Sequence, residues 1–267
     1  MVIRAEHEHG GDVDYELHGA GYASLRRADP RIAALVHAAL GPARTVLNVG
    51  AGAGSYEPSD RFVLAVEPAA AMRVQRPAHL PPAIRAFAES LPFDDASFDA
   101  SMATITLHQW SDVELGLREL RRVTRGPVVV MTFDPDALDR FWLAEYAPEL
   151  IAAERGRFPA LALIARVLAG SVEVRPVPIP SDCSDGFTEA YYARPECFLD
   201  PAVRRGQSAW TFLADGVEAA IVERLRSDLQ SGAWDARFGA LRNAPELVGS
   251  LRIVVSSPSA DSSHTQP

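Results

Sequence analysis

Seven short apolar, β-rich runs recur along the chain, at residues 45–49, 62–66, 84–88, 98–105, 127–133, 172–179 and 251–256. Near-continuous hydrophobic strands separated by helical or turn-rich spacers are buried on both faces, which predicts an α/β sheet covered by helices. Residues 30–40 carry helical periodicity and stop at Gly41-Pro42, and residues 112–124 repeat the pattern. Residues 136–170 read as two helices broken near 155–159, residues 215–230 as one long helix, and residues 14–27 as another helix or an ordered arm. The rest of 181–250 mixes proline, glycine and aromatic residues irregularly. The expected organisation is an N-terminal arm and helix (1–44), an α/β core (45–180), a helical and irregular cap insert (181–250), the last strand of the core (251–256) and a disordered tail (257–267).

The 267 residues, 48% hydrophobic, suffice to bury the core of one domain with additions. No apolar run approaches the roughly 20 residues needed to cross a bilayer, and the polar start is unlike a secretory signal, so a cytoplasmic protein without membrane attachment is expected. Cys183 and Cys197 lack metal-ligand spacing and read as reduced, structural residues; His7 and His9 read as solvated, and no metal is expected. The net charge is −9, and all 26 basic residues are arginine. Such a chain repels phosphate backbones unless it concentrates a basic face. Arg118, Arg121, Arg122 and Arg125 share one side of the 112–124 helix and read as its solvated face, so nucleic acid is not an expected partner.

Chemistry enters with "TVLNVGAGAG", in which Gly50, Gly52 and Gly54 follow a strand directly. They fall at the carboxyl edge of the sheet, where open α/β folds bind ligands and bare backbone lets a ligand approach. Glu67 ends the next strand, and its two carboxylate oxygens suit a vicinal diol such as a ribose. A nicotinamide dinucleotide is one reading of a glycine loop followed by an acid. Only residues 55–61 precede the next strand, however, and Pro58 interrupts them, so the helix N-terminus that cradles a pyrophosphate is short or missing. A nucleoside cofactor with an amino-acid carboxylate in place of phosphates fits better.

Four segments in order, "VLNVGAGAG", "VLAVEPAAAM", "AESLPFDDASFD" with "SMATITLHQW", and "LRELRRVTRGPVVVMTF", resemble the class I S-adenosylmethionine-dependent methyltransferases, type 11 group, which includes ubiquinone/menaquinone-biosynthesis-like enzymes. The resemblance covers residues 45–133. It implies a Rossmann-like sheet of seven strands in the order 3-2-1-4-5-7-6, the last strand antiparallel. It also implies S-adenosyl-L-methionine as cofactor. Gly50, Ala51, Gly52 and Gly54 would pass under the methionine moiety and Glu67 would hold the ribose. Pro68, Met72, Ala88, Glu89 and Ser90 would frame the adenine, and Ala103 and Thr104 would offer backbone carbonyl to the amino group. Asn48 stands where the family usually has an acid, and Phe87 replaces an acid that often bonds adenine.

Methyl transfer from a sulfonium needs positioning, and a base only where the nucleophile must lose a proton early. His108, just beyond the fourth strand, is the candidate base, with loop ordering or packing on Trp110 as the alternative. Tyr15, His18, Tyr22 and Trp110 are candidate substrate contacts. The aromatic residues of 181–250 (Phe187, Tyr191, Tyr192, Phe198, Trp210, Phe212) divide between an acceptor pocket and the insert's own core. The expected function is methylation of a small organic acceptor in bacterial secondary metabolism. A nicotinamide-dependent oxidoreductase and a protein of this fold that binds the cofactor without methyl transfer are the alternatives.

Overall fold

Asp29 opens the first described helix, its carboxylate accepting from the Arg31 amide one step after Pro30 has preset the helical φ of α1 (Pro30–Ala39). A computed structural model describes residues 26–258. Tyr15, His18 and Tyr22, with most of the arm expected over 14–27, lie outside the described residues, as does the tail expected to be disordered beyond residue 258. The other elements are β1 (Thr45–Val49), β2 (Phe62–Val66), α2 (Ala70–Arg73), β3 (Ala100–Thr104), α3 (Val113–Arg122), β4 (Val128–Phe133), α4 (Leu143–Tyr146), α5 (Pro148–Arg157), α6 (Leu161–Leu168), β5 (Ser171–Pro180), α7 (Pro201–Arg205), α8 (Val217–Ser231), α9 (Ala233–Phe238) and β6 (Glu246–Ser257). Single 3₁₀ turns punctuate the loops.

The described strands form one six-stranded sheet in the order β2-β1-β3-β4-β6-β5. β1 pairs in parallel with β2 and β3, and β3 with β4, whereas β6 runs antiparallel to both β4 and β5. This is the expected Rossmann-like methyltransferase arrangement without its outermost strand. Residues 84–88 make a single parallel bridge, Ile84 to Val66, after which the chain turns back as the Ser90 amide donates to the Phe87 carbonyl (3.2 Å). Pro81 and Pro82 bring no amide donors to that edge, and α2 spans only four residues, too few to carry the chain along a full neighbouring strand. β6 begins at Glu246, earlier than the expected 251, and its extra length pairs with Pro178–Pro180 of β5. β5 tolerates Pro176, Pro178 and Pro180 because it lies at the edge of the sheet.

Burial divides between the two faces. Leu47, Val66, Ala103, Val128 and Val130 pack with Leu117 and Leu120 of α3 and Ile164 and Leu168 of α6. On the opposite face Val46, Met102, Val129 and Met131 join Ile32 and Val36 of α1 in a cluster that continues through Trp142 to Tyr192, Phe198, Trp210 and Trp234. The aromatic residues of 181–250 therefore extend the core of the sheet. The arginines of α3 are engaged: Arg118 pairs with Glu114, Arg122 with Glu119 and Asp95, Arg125 with Asp99, and Arg121 donates to the Thr124 and Gly126 carbonyls. Cys183 and Cys197 are free thiols. No described helix is long and apolar enough to cross a membrane.

Trp142 ties the aromatic region together, edge-on to Tyr146, Phe198 and Trp234, with its indole N–H donating to the Tyr192 carbonyl at 3.0 Å. Trp142→Ala is expected to cost about 3–5 kcal/mol, through lost packing and a stranded carbonyl. Trp142→Phe should cost visibly less. Urea unfolding midpoints compare the two; equal midpoints would mean that the ring does not bridge the two parts of the core.

Candidate active site

Parallel strands set their carboxyl ends side by side, so the loops after β1, β2 and β3 converge on one edge. The amides of Gly50 and Ala51 both donate to the Val66 carbonyl, at 2.9 and 3.0 Å, and turn the chain sharply over the tip of β2. Gly50 has φ +68°, and a Cβ there would lie 2.1 Å from the Thr106 hydroxyl oxygen. Gly52, at φ +52°, aims its amide at Glu67 Oε2 (2.8 Å), while Glu67 Oε1 accepts from the Ala69 amide (2.9 Å). Burial raises the Glu67 pKa, and these two amides and the nearby Arg73 and Arg76 act against the rise. Each carboxylate oxygen keeps a lone pair for a ligand hydroxyl.

A cleft of about 690 Å³ opens over this loop, walled by Gly50, Ala51, Gly52, Glu67, Met72 and Thr104 of the expected set. Arg26, Ala53, Ser55, Tyr56, Ile105, Thr106 and Gln109 complete it. An adjoining recess brings together Pro68, Ala88 and Glu89, again with Gly50 and Glu67, and adds Phe87 and Trp110. Trp110 thus sits on the side expected for adenine and packs over Gly116, where a Cβ would lie 2.5 Å from the indole. Trp110, expected as a substrate contact, lines this recess and not the second cavity. Glu89 Oε1 is engaged by the Ser111 hydroxyl (2.9 Å) and the Asp112 amide (3.0 Å).

Four expected residues stand behind these walls. Ala103 is wholly buried among the packing residues of β3, and the exposed Ser90 closes the turn after Phe87. At Gly54 a Cβ would meet Leu80, on the outer side of the loop. Asn48 is fully buried and donates to Glu57 Oε1 at 3.0 Å. Glu57 in turn takes both guanidinium nitrogens of Arg76, at 3.0 and 2.9 Å, with its side chain 1% exposed. Asn48 thus pairs with an acid nine residues downstream that Arg76 already neutralises.

Beyond Ile105 lies a second cavity, of about 580 Å³, walled by Phe133, Leu138, Phe141, Ile151, Phe158 and Phe187 and by the polar residues Arg26, His108, Glu154, Arg157, Thr188, Glu189, Gln207 and Ser208. Arg26 and Ile105 border both spaces. Ile105 has φ +51°, a left-handed conformation that is costly for a β-branched residue and is held here by its amide's bond to the Met131 carbonyl (2.7 Å). His108 packs at a tilt against Phe158, 4.7 Å between ring centres, rather than on Trp110, and its enclosed Nδ1 has no hydrogen-bond partner among the described residues. Burial, reinforced by Arg157 and Arg26, holds its pKa well below 6.5 and keeps the ring neutral. Of the expected pocket aromatics, Phe187 lines the cavity, Tyr192, Phe198 and Trp210 are core, and Phe212 is 43% exposed under Arg157.

Sequence reasoning missed Tyr56, Asp185 and Arg26, which join the two spaces. The Tyr56 hydroxyl donates to Asp185 Oδ2 (2.6 Å), and Arg26 Nε donates to Asp185 Oδ1 (2.6 Å). It also missed Glu189, whose oxygens both accept from the Ser250 amide, at 3.0 and 2.9 Å. Their separation in the chain, 129 residues for Tyr56 and Asp185, leaves no local spacing to read.

The chain matches the model of the Methyltransferase domain family over residues 47–130. It is similar to a solved protein from Anabaena variabilis ATCC 29413 assigned as a methyltransferase of an antibiotic biosynthesis pathway, with 30% identity and a TM-score of 0.80 over 87% of this chain and 98% of that one. It shares its fold with a SAM-dependent methyltransferase from Thermotoga maritima, at 15% identity and a TM-score of 0.54 over 92% of this chain and 98% of that one. It likewise resembles Haemonchus contortus phosphoethanolamine N-methyltransferase 2, solved with phosphomonomethylethanolamine and S-adenosylhomocysteine, at 13% identity and a TM-score of 0.54 over 91% of this chain and 57% of that one. No curated protein matches the chain.

Glu189 makes the second cavity a pH-sensitive part of the fold. Burial pushes its carboxyl from an ordinary 4.5 to about 7, against the Ser250 bonds and Arg252. Between those values the folded protein holds a proton that the unfolded chain has released, so this group's contribution falls as pH rises from about 4.5 to about 7 and is constant above. The difference in urea stability between the parent and Glu189→Gln should therefore shift toward the variant across that window. A difference that is flat with pH would show that Glu189 is ionised throughout.

Proposed function

The chain belongs to the class I S-adenosylmethionine-dependent methyltransferases, and we propose that it methylates a small organic acceptor held in the cavity beyond Ile105. The observation that carries this reading is the shared wall: one residue pair, Arg26 and Ile105, borders both a glycine-loop cleft and an aromatic-lined cavity. A largely apolar cavity suits a small molecule, and Arg118, Arg122 and Arg125 are each paired with carboxylates rather than left as a basic face for a nucleic acid. The pathway assigned to the Anabaena relative supports a place in secondary metabolism.

The residues present fit S-adenosylmethionine. Gly50 and Gly52 leave open a cradle that side chains would fill against Thr106 and Met72, and Glu67 presents a fixed carboxylate to the ribose. Pro68, Ala88 and Trp110 flank the adenine recess. When bound, the cofactor would supply a sulfonium methyl group for transfer to the acceptor's nucleophile, with a neutral thioether as leaving group. Ile105 and Arg26 set the approach between the two spaces, and the apolar walls exclude water. His108 lines this cavity and its Nδ1 has no partner among the described residues, which supports it as the group that accepts the nucleophile's proton. Its low basicity makes that transfer late, after the new bond has acidified the proton.

Two measurements test the assignment. Glu67→Gln places an amide opposite two N–H donors and removes a charged acceptor, so S-adenosylhomocysteine should bind about 1.5–3 kcal/mol more weakly by calorimetry, while Asp94→Asn leaves it unchanged. Equal effects would displace the ribose from Glu67. His108→Gln should preserve that affinity and lower turnover about 100-fold. Because the imidazole pKa lies below 6.5, parental turnover should hold down to that pH and fall only beneath it, with the acidic limb absent from the variant. A limb that survives the substitution removes His108 from the proton path.

A further inference from the structure

Gln207 presents a second unpartnered polar group in the acceptor cavity, and its orientation is fixed by a donor that cannot accept. The residue is 4% exposed and lines the cavity. Its Oε1 accepts from the Trp210 indole N–H at 3.2 Å and from the Thr188 hydroxyl at 3.0 Å. An indole N–H only donates, so the amide cannot be reversed without setting two donors against each other. The Nε2 group is thereby left as the unpaired end of the head. It is buried and has no hydrogen-bond partner among the described residues. A buried N–H left unmet costs free energy that a ligand oxygen recovers on binding.

The surroundings narrow the ligand further. Phe133 lies edge-on to Phe158 at 5.1 Å and tilted against Phe187 at 5.5 Å, with the His108 ring tilted against Phe158, so aromatic rings make up much of the apolar wall. The charged lining residues are paired: Arg26 with Asp185 at 2.6 Å, and Arg157 with Glu154 at 3.8 Å as well as the Ser208 hydroxyl at 3.0 Å. Glu189 is committed to the Ser250 amide. A net-charged ligand therefore meets no uncommitted counter-charge on these side chains, whereas a neutral carbonyl oxygen meets a fixed donor.

We propose that Gln207 is the specificity residue of the acceptor cavity, its amide N–H group clamping a carbonyl oxygen of an uncharged, largely apolar acceptor. The proposal rests on the methyltransferase reading and adds the chemical class of the acceptor. Trp210 and Thr188 hold the clamp from behind, and His108 stands at another part of the same wall, toward Ile105 and the cofactor cleft.

The test uses the full chain saturated with S-adenosylhomocysteine and a matched set of probes, para-hydroxyacetophenone, para-ethylphenol and para-hydroxybenzoate, with binding followed by ligand-observed NMR. The ketone should bind about tenfold or more tightly than the ethyl compound, which has the same outline without the oxygen, and more tightly than the carboxylate. Gln207→Glu, which keeps an oxygen for Trp210 and Thr188 but has no N–H, and Gln207→Met should both abolish the ketone's advantage while binding S-adenosylhomocysteine as the parent does. Equal binding of ketone and ethyl compound, binding of neither, tighter binding of the carboxylate, or a preference that survives both substitutions overturns the proposal. Failure of the parent to bind S-adenosylhomocysteine would instead count against the methyltransferase reading, so the two failures are distinguishable.

Discussion

The buried hydrogen bond from Tyr56 to Asp185 is the contact on which the geometry of both spaces depends. Asp185 is 2% exposed, and a carboxylate at that depth persists only where partners replace its water. Tyr56 supplies one partner from the loop that begins at Gly50, and Arg26 supplies the other from the start of the described chain. Burial and the facing carboxylate raise the phenol's pKa well above 10, so it remains a donor. Removing Arg26 leaves charge uncompensated and removing Tyr56 leaves a buried acceptor unmet, which opposes any movement of residues 181–185 away from the glycine loop. The segment is held a second time where Asp29, the cap of α1, accepts from the Ser184 amide at 3.1 Å. A cofactor loop and an acceptor wall far apart in sequence thus share one electrostatic anchor.

Much of this was legible from the chain because it is local. The apolar runs at 45–49, 62–66 and 127–133 became β1, β2 and β4, and the break expected near 155–159 falls between α5 and α6. Gly50, Gly52 and Glu67 were readable because a strand, a tight turn and the next strand's end lie within about twenty residues. Where tertiary contacts decide, the pattern ran out. The run at 84–88 has strand composition, yet one bridge exhausts its pairing. Trp110 follows His108 closely, but the 3₁₀ turn Leu107–Gln109 sends the imidazole toward Phe158 and the indole toward Gly116. Gln207, Glu189 and Asp185 lie in a stretch without periodicity, and their role depends on partners that only the fold brings near.

Asn48 shows how a departure from a family pattern is accommodated in the core. Its amide cannot bring negative charge beneath the glycine loop, but it can donate, and Glu57 accepts from it. A bidentate guanidinium is a strong partner for a buried carboxylate, and Arg76 supplies one. The same Arg76 lies 3.2 Å from the position that a Cβ would take at Gly54. The third glycine of the loop therefore leaves room for this ion pair rather than for a ligand.

The charge layout of the acceptor cavity also fits the reaction in a way its shape alone does not explain. Displacement at a sulfonium by a neutral nucleophile disperses an existing positive charge, so a low-dielectric cavity imposes little penalty on the transition state. The costly moment comes afterwards, if the positive charge stays on the methylated product between Arg26 and Arg157. Burial first, and those guanidiniums second, depress the basicity of His108, and the same surroundings acidify a proton on a newly methylated nucleophile. Because donor and acceptor are weakened together, the cationic surroundings do not by themselves oppose a proton transfer between them.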